Sequence, residues 1–85
     1  MKRATEIYSQ EFDAIFFKLP KSVQRRIQEK IDWVGMHLDS FSHDRLQERP
    51  EFPLRVGDYR VIYEFDLRTN QIFLNTLGHR RDVYR

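Results

Sequence analysis

The spacing of apolar residues is helical in the first half of the chain and extended in the second half. In PKSVQRRIQEKIDWVGMHL, residues 20–38, apolar side chains recur at steps of four, four, three and four; they are Val23, Ile27, Ile31, Val34 and Leu38. Such spacing forms one stripe along a helix and predicts an amphipathic helix. The other side is interpreted as a solvated basic face, also able to touch nucleic-acid phosphate; it carries Lys21, Arg25, Arg26 and Lys30.

A strand and a shorter helix are predicted before this segment. ATEIY, residues 4–8, is rich in strand-forming side chains and predicts an opening strand. Ser9 is expected to be the N-cap of the next helix, because its hydroxyl can accept a hydrogen bond from an amide of the first turn. Pro20 is expected to end this helix and to open the next. The apolar residues at helical spacing between them are Phe12, Ile15, Phe16 and Leu19.

After a polar segment broken by Pro50 and Pro53, the apolar period changes to two. YRVIYEFD, residues 59–66, alternates in the way a half-buried strand does, and IFLNTLGH, residues 72–79, follows as its partner. Thr69 and Asn70 are suited to the turn that joins the two strands. A short strand around residues 54–56 is expected before them, connected through Gly57 and Asp58.

These elements predict a single α+β domain over residues 1–85. The order is β-α-α-β-β-β, with an antiparallel-rich twisted sheet and a helical hairpin packed on one face. The other face has no element left to cover it. Arg60, Ile62 and Glu64 share one face of their strand, and a face with a mid-strand arginine is expected to be the open one.

Composition narrows the class of protein. The chain of 85 residues has a formal net charge of +2 and no cysteine, which disfavours a small secreted disulfide scaffold. No stretch approaches the roughly 18 apolar residues that a membrane span needs, so a cytoplasmic protein is expected. The last 31 residues, from Arg55, contain six arginines and no lysine. A guanidinium fork matches phosphate oxygens in a bidentate way that lysine cannot.

The predicted hairpin brings several of these cations together. The start of its first strand lies beside the end of its second, so Arg60 is expected near Gly78, His79 and Arg80. Arg55 and the phenol of Tyr84 can join them. Like charges repel, and such a cluster therefore predicts a bound anion. His37 and His43 are interpreted as surface or loop residues, and the three histidines are too scattered to indicate a metal site.

RNA cleavage is one chemistry that these side chains could support. Attack of a 2′-hydroxyl on the adjacent phosphate needs a base, cations that stabilise the phosphate oxygens, and an acid for the leaving oxygen. Arg60 and Arg80 suit the cationic role. His79 can act as acid or base near neutral pH. Tyr84 can transfer a proton or stack on a base.

Two segments, LRVGDYRVIYEFD and then LGHRRDVYR, resemble the RelE/ParE superfamily of toxins from bacterial type II toxin–antitoxin systems. The strand and the helix ending in KLPKSVQRRIQEKI agree with that family's organisation, so the resemblance covers essentially the whole chain. The VYR ending is closer to the RelE branch. The resemblance therefore implies a ribosome-dependent endoribonuclease that cuts mRNA in the ribosomal A site and inhibits translation.

By the same resemblance, Arg60 of GDYR matches the arginine that stabilises the phosphate, and Arg80 of GHR matches a second one. Tyr84 of VYR matches the tyrosine that stacks on the substrate base or assists proton transfer. His79 occupies a position where a basic residue is common. Further substrate-binding positions are assigned to the remaining arginines of these segments, which are Arg55, Arg81 and Arg85.

One departure leaves the general base open. PEFPLR has Glu51 and Pro53 near the positions where the best-studied RelE members carry lysines. His79, Glu51 or Tyr84 takes the role, or catalysis is weaker. Two other interpretations also stay open. GHRRD partly fits the ParE branch, whose members poison DNA gyrase, and a degenerate toxin would only bind its antitoxin.

The resemblance also implies the partners. They are a cognate antitoxin, whose helix or strand becomes ordered on binding, and mRNA in the A site of the ribosome with its rRNA. Operator DNA would be bound only through the antitoxin complex. No cofactor, metal or membrane is expected.

Overall fold

The computed structural model describes residues 2–43 and 51–79. The elements within these residues confirm the predicted α+β order. They are β1 Thr5–Tyr8, α1 Gln10–Phe16, α2 Lys21–Met36, β2 Phe52–Val56, β3 Tyr59–Asp66 and β4 Gln71–His79.

The four strands form one mixed sheet in the order β1-β4-β3-β2. β2, β3 and β4 are antiparallel neighbours, which confirms the predicted meander. β1 lies parallel to β4, with Thr5 opposite Gln71. The register of β3 against β4 shifts after Ile62, which is opposite Thr76 although Tyr63 is opposite Leu74. Asn75 is therefore an extra residue in β4, and bulges of this kind bend a strand and increase its twist.

Both helices contribute to one core against the same face of the sheet. Ile27, Ile31 and Val34 of the predicted stripe are fully buried in α2, and Phe12 and Phe16 are buried in α1. They form one cluster with inward residues of the sheet, namely Phe52, Leu54, Val61, Tyr63, Ile72, Leu74 and Leu77. Within residues 2–43 and 51–79, no helix is long and apolar enough to cross a membrane.

Ser9 caps α1 as predicted and also fastens the helix to the sheet. Its Oγ accepts a hydrogen bond from the amide of Phe12 at 2.9 Å and donates one to the carbonyl of Asn75 at 2.6 Å. The bulged residue of β4 is thus the point at which α1 is anchored.

His43 has a structural role, contrary to its interpretation as a plain loop residue. Nε2 lies 2.8 Å from the carbonyl of Leu38, so it must be the protonated nitrogen. In neutral histidine, Nδ1 then accepts a hydrogen bond from the Tyr63 hydroxyl at 2.5 Å. The imidazole also stacks on Phe65 with ring centres 4.0 Å apart. His43 therefore ties the segment after α2 to the middle of β3.

Candidate functional site

Arg60 lies beside Gly78, which the predicted hairpin placed near it, and beside Arg55, which was expected to join the cluster. It is opposite Arg55 of β2 on one side and Gly78 of β4 on the other. Val61, the next residue of the strand, and Tyr63, two positions further on, both belong to the core. Because successive side chains of a strand point to opposite faces, Arg60 lies on the face away from the helices, as predicted. The expectation that this face is open is not met along its whole length, because Ile62 on the same face is only 4% exposed and Arg60 is half-buried.

The Arg55–Arg60 pair concentrates positive charge on this face. Residues directly opposite in an antiparallel pair have their Cβ atoms about 4.5–5.5 Å apart, and like charges there are destabilising. Gly78 adds no side chain on the other flank of Arg60. On the same strand, Glu64 accepts a hydrogen bond from Asn75 at 2.7 Å, and Asp66 accepts one from the amide of Arg68 at 2.9 Å. An anion would relieve the repulsion between the arginines.

His79 lies at the same end of the sheet as Arg60 but on the other face. It is opposite Tyr59, and the two rings meet edge to face with centres 5.9 Å apart. Tyr59 packs against the core that α1 and α2 cover. The hairpin thus brings His79 to the right end of the strand, whereas strand alternation turns its side chain away from that of Arg60.

Four predicted site residues lie outside the described residues: Arg80, Arg81, Tyr84 and Arg85. Their roles stay predictions. Of the two residues near the missing lysines, Glu51 is half-buried just before β2, and Pro53 is opposite Ile62. Pro53 shares the face of Arg55 and Arg60, since it is two residues before Arg55 on the same strand.

A cavity of about 310 Å³ adjoins the arginine pair. It lies along β2, the edge strand of the sheet, and reaches α2 and the segment that follows it. Its lining residues are Lys30, Phe41, Ser42, Pro53, Leu54, Arg55 and Arg60. The sequence did not reveal this cavity, because Lys30 and Phe41 are remote from β2 in the chain. The sequence pattern did, however, place Lys30 on the basic side of the helix.

A second polar cluster joins β1 to α2 on the helix-covered face. Glu6 accepts hydrogen bonds from Arg3 at 2.9 Å and from the Tyr8 hydroxyl at 2.5 Å. Gln28 bonds to the Tyr8 hydroxyl at 2.7 Å, and Asp32 accepts from both Gln28 and Arg3. This network holds the first strand against the second helix, and its position favours a structural role.

Burial raises the pKa of Glu6, and a hydrogen bond to the Asp32 carboxylate raises it further. Burial alone would also raise the pKa of Asp32, but hydrogen bonds from Glu6 and Gln28 and the charge of Arg3 lower it overall. Burial and the neighbouring Glu6 raise the pKa of Tyr8. The Glu6 carboxyl therefore binds a proton more tightly than the Asp32 carboxyl does. In the described part of the chain, no group of three or more acidic or histidine side chains could hold a metal ion.

A two-helix layer on a four-stranded mixed sheet is the fold of solved RelE toxins. The archaeal RelE–RelB complex from Pyrococcus horikoshii OT3 matches with a TM-score of 0.77 and 23% identity, covering 96% of this chain and 100% of that chain. The toxin–antitoxin complex RelBE2 from Mycobacterium tuberculosis matches with a TM-score of 0.76 and 21% identity, covering 96% of this chain and 97% of that chain. The intact E. coli RelBE complex matches with a TM-score of 0.74 and 15% identity, covering 89% of this chain and 95% of that chain.

The chain belongs to the family described as the ParE toxin of the type II toxin–antitoxin system parDE, whose model matches residues 5–84. It is thus a member of the RelE/ParE toxin superfamily, as its sequence motifs indicated. No curated protein matches the chain.

Proposed function

We propose that this toxin is a ribosome-dependent endoribonuclease that cleaves mRNA in the ribosomal A site and so inhibits translation. The observation that carries the proposal is the pair of arginines, Arg55 and Arg60, opposite each other on the face that the helices leave uncovered. An exposed and a half-buried guanidinium group side by side suit a phosphodiester, because each can donate two parallel hydrogen bonds to phosphate oxygens.

In the proposed reaction the 2′-oxygen forms a bond to phosphorus, and the bond from phosphorus to the 5′-oxygen breaks. A base takes the 2′ proton, and an acid returns a proton to the leaving 5′-oxygen. Arg60 stabilises the charge that develops on the phosphate oxygens, and Arg80 is proposed to assist it. Tyr84 and His79 are the proposed proton-transfer groups, and the proposed additional RNA contacts are Arg55, Arg81 and Arg85.

The test is primer extension on mRNA in a reconstituted translation reaction. Wild type is expected to cut within codons only when ribosomes are present, and Arg60→Ala is expected to lose about 100-fold in rate, as when one transition-state donor is removed. Arg68→Ala is the matched control, since Arg68 is an exposed arginine at the opposite end of β3. Intact mRNA with active wild-type toxin would exclude this function.

Inhibition of DNA gyrase is the second candidate function. The observation that favours it is the family model, which bears the ParE name and matches residues 5–84. A gyrase supercoiling assay distinguishes the two candidates. Loss of supercoiling with mRNA left intact would support the ParE-type target.

A cognate antitoxin is the proposed protein partner, and the cytoplasm is the proposed location. The support is that the matching structures include complexes of RelE with RelB from three organisms. Coexpression with candidate antitoxins followed by copurification tests the partnership. A toxin that only binds antitoxin would copurify and yet leave both mRNA and supercoiling unchanged.

A further inference from the structure

The cavity beside β2 has cations from two separate elements and no acidic side chain among its described lining residues. Arg55 and Arg60 come from the β2–β3 hairpin, and Lys30 comes from the third turn of α2. A cleft with one sign of charge and low-dielectric walls concentrates the field of those charges. Phe41, Pro53 and Leu54 form the apolar part of this wall. The cavity therefore favours an anion that also carries an apolar group.

The dimensions of the cavity limit the ligand. Ligand pockets span roughly 300–1,000 Å³, and a cavity of about 310 Å³ is at the lower end of that range. It has room for one nucleotide unit and not for a folded oligonucleotide. Because Arg60 itself lines the cavity, a strand of RNA with one phosphate at Arg60 can place a neighbouring nucleotide in it.

Lys30 is positioned differently from the other cations of α2. Lys21 and Arg25 line a separate surface groove with Phe16, Gln24 and Gln28. Lys30 is half-buried, with its Nζ 5.4 Å from the ring centre of Trp33 and 6.0 Å from that of Phe41. These aromatic rings hold the ammonium group near the cavity, and cations over aromatic faces are attracted by the ring quadrupole.

We propose that this cavity is a subsite for the nucleotide next to the scissile phosphate, and that Lys30 binds the second phosphate. This inference rests on the proposed RNase function, because it assigns a role in the same RNA-binding surface. It also gives this chain a lysine beside the proposed RNA-binding surface, although β2 itself contains none. Here the lysine comes from a helix, and its role is to position RNA.

Binding of short oligonucleotides tests the inference without any cleavage. The probes are a trinucleotide with two phosphates and a dinucleotide with one, both with 2′-deoxy sugars so that no attacking hydroxyl is present. Trp33 is the only tryptophan of the chain and lies under Lys30, so its fluorescence reports binding at the cavity. The variants are Lys30→Gln, Lys30→Arg and, as a matched control from the other groove, Lys21→Gln.

Lys30→Gln is expected to weaken trinucleotide binding about 10-fold, the effect of one lost charge-assisted hydrogen bond, and to leave dinucleotide binding unchanged. The slope of log affinity against log salt should fall by about 0.7, the value for one phosphate contact on a single strand. Lys30→Arg should bind like wild type. Thermal unfolding of each variant checks that the fold is intact.

The outcomes separate this inference from the proposed function. If Lys30→Gln binds the trinucleotide as wild type does, or if Lys21→Gln weakens binding equally, the subsite is overturned, although Arg60-dependent mRNA cleavage can still hold. The same is true if wild type does not bind the trinucleotide. If binding depends specifically on Lys30 and mRNA stays intact in translation, the anion subsite stands and the RNase function fails.

Discussion

Arg55 and Arg60 are directly opposite each other across the β2–β3 ladder, one residue pair in from the turn at Gly57 and Asp58. A tight hairpin holds the backbones of the two residues at a fixed separation, so both side chains leave the sheet on the same face. Two like charges opposite each other on neighbouring strands favour the binding of an anion.

The repulsion between these like charges can be measured with Arg55→Gln, which removes one charge and retains a long polar side chain. We expect its free energy of unfolding to rise by about 0.2–1 kcal/mol at low salt, because like charges directly opposite are destabilising. The difference should shrink at high salt, where the Debye length falls to about 3 Å at 1 M. Urea unfolding at two salt concentrations checks this. A variant less stable than wild type at low salt would contradict the expectation.

His79 lies on the face of the sheet opposite to that of Arg60. This position gives different expectations for the two proposed proton-transfer groups, His79 and Tyr84. General acid–base catalysis contributes about 100- to 10,000-fold, so loss of the essential group must fall in that range. Since His79 packs toward Tyr59 and the core, we expect His79→Gln to lower mRNA cleavage by less than about 10-fold, a value below that range. Tyr84→Phe should cause the larger loss. Single-turnover cleavage rates decide between them, and a larger loss for His79→Gln would reverse the assignment.

Two glycines give opposite expectations for the same substitution. Gly57 has a φ of 59°, and an added Cβ would lie 3.0 Å from Nη2 of Arg26. Gly57→Ala should destabilise the protein by about 1–2 kcal/mol, mainly through left-handed backbone strain. Gly35 is helical, and an added Cβ would meet Glu6 and Ala4 only at 3.7 and 3.9 Å. Gly35→Ala should therefore stabilise the protein by up to about 1 kcal/mol.

Thermal and urea unfolding of both alanine variants measure this contrast. Equal effects would show that neither the backbone conformation of Gly57 nor the ordinary contacts around Gly35 decide the result.

The Glu6–Asp32 pair predicts a pH dependence of stability with a definite sign. Because the pKa of Glu6 is raised above 4.5 in the folded protein, the folded state binds the proton more tightly than the unfolded state. Glu6 therefore contributes stability at low pH that is lost as pH rises from about 4.5 through the folded pKa. Asp32 acts in the opposite sense, since its pKa is lowered below 3.8. Its contribution is present above that value and is lost as pH falls.

Urea unfolding from pH 4 to pH 7 of wild type, Glu6→Gln and Asp32→Asn checks these signs. Glu6→Gln should gain stability relative to wild type as pH rises, because the buried group no longer ionises. Asp32→Asn should be less stable than wild type near pH 7, and this deficit should shrink toward the acid end of the range, where wild type begins to lose the contribution of Asp32. Parallel curves for wild type and Glu6→Gln would show that Glu6 titrates normally.

The elements were predictable because their signals are local. The stripe of α2 and the cap at Ser9 each depend on residues within a few positions, and the structure confirms both. The pairing of Arg60 with Gly78 could also be predicted from the sequence, because a hairpin with a short turn fixes its own register. The face on which His79 lies also follows from the alternation of side chains along a strand. The prediction grouped His79 with Arg60 only because both lie at the same end of the hairpin, and it therefore missed the difference in face.

What the sequence did not reveal depends on contacts between distant segments. The parallel position of β1 beside β4, the bonds of His43 to Tyr63 and Leu38, and the cavity between Lys30 and Arg55 all require the packed fold. None has a local pattern, since a histidine in a polar loop looks the same whether it is solvated or buried. Motif resemblance supplied the family but could not show where a helix lysine would lie.

The pairing of β1 with β4 has a consequence for the order in which the protein can form. Among the elements of residues 2–43 and 51–79, β1 is synthesised first and its partner strand β4 is synthesised last. Contacts between distant parts of a chain form late, because the intervening loop must first be closed. The sheet, and with it the anchoring of α1 at Asn75, is therefore completed only after translation has passed β4. A nascent chain that stops short of β4 therefore has neither the β1–β4 pairing nor the anchor of α1.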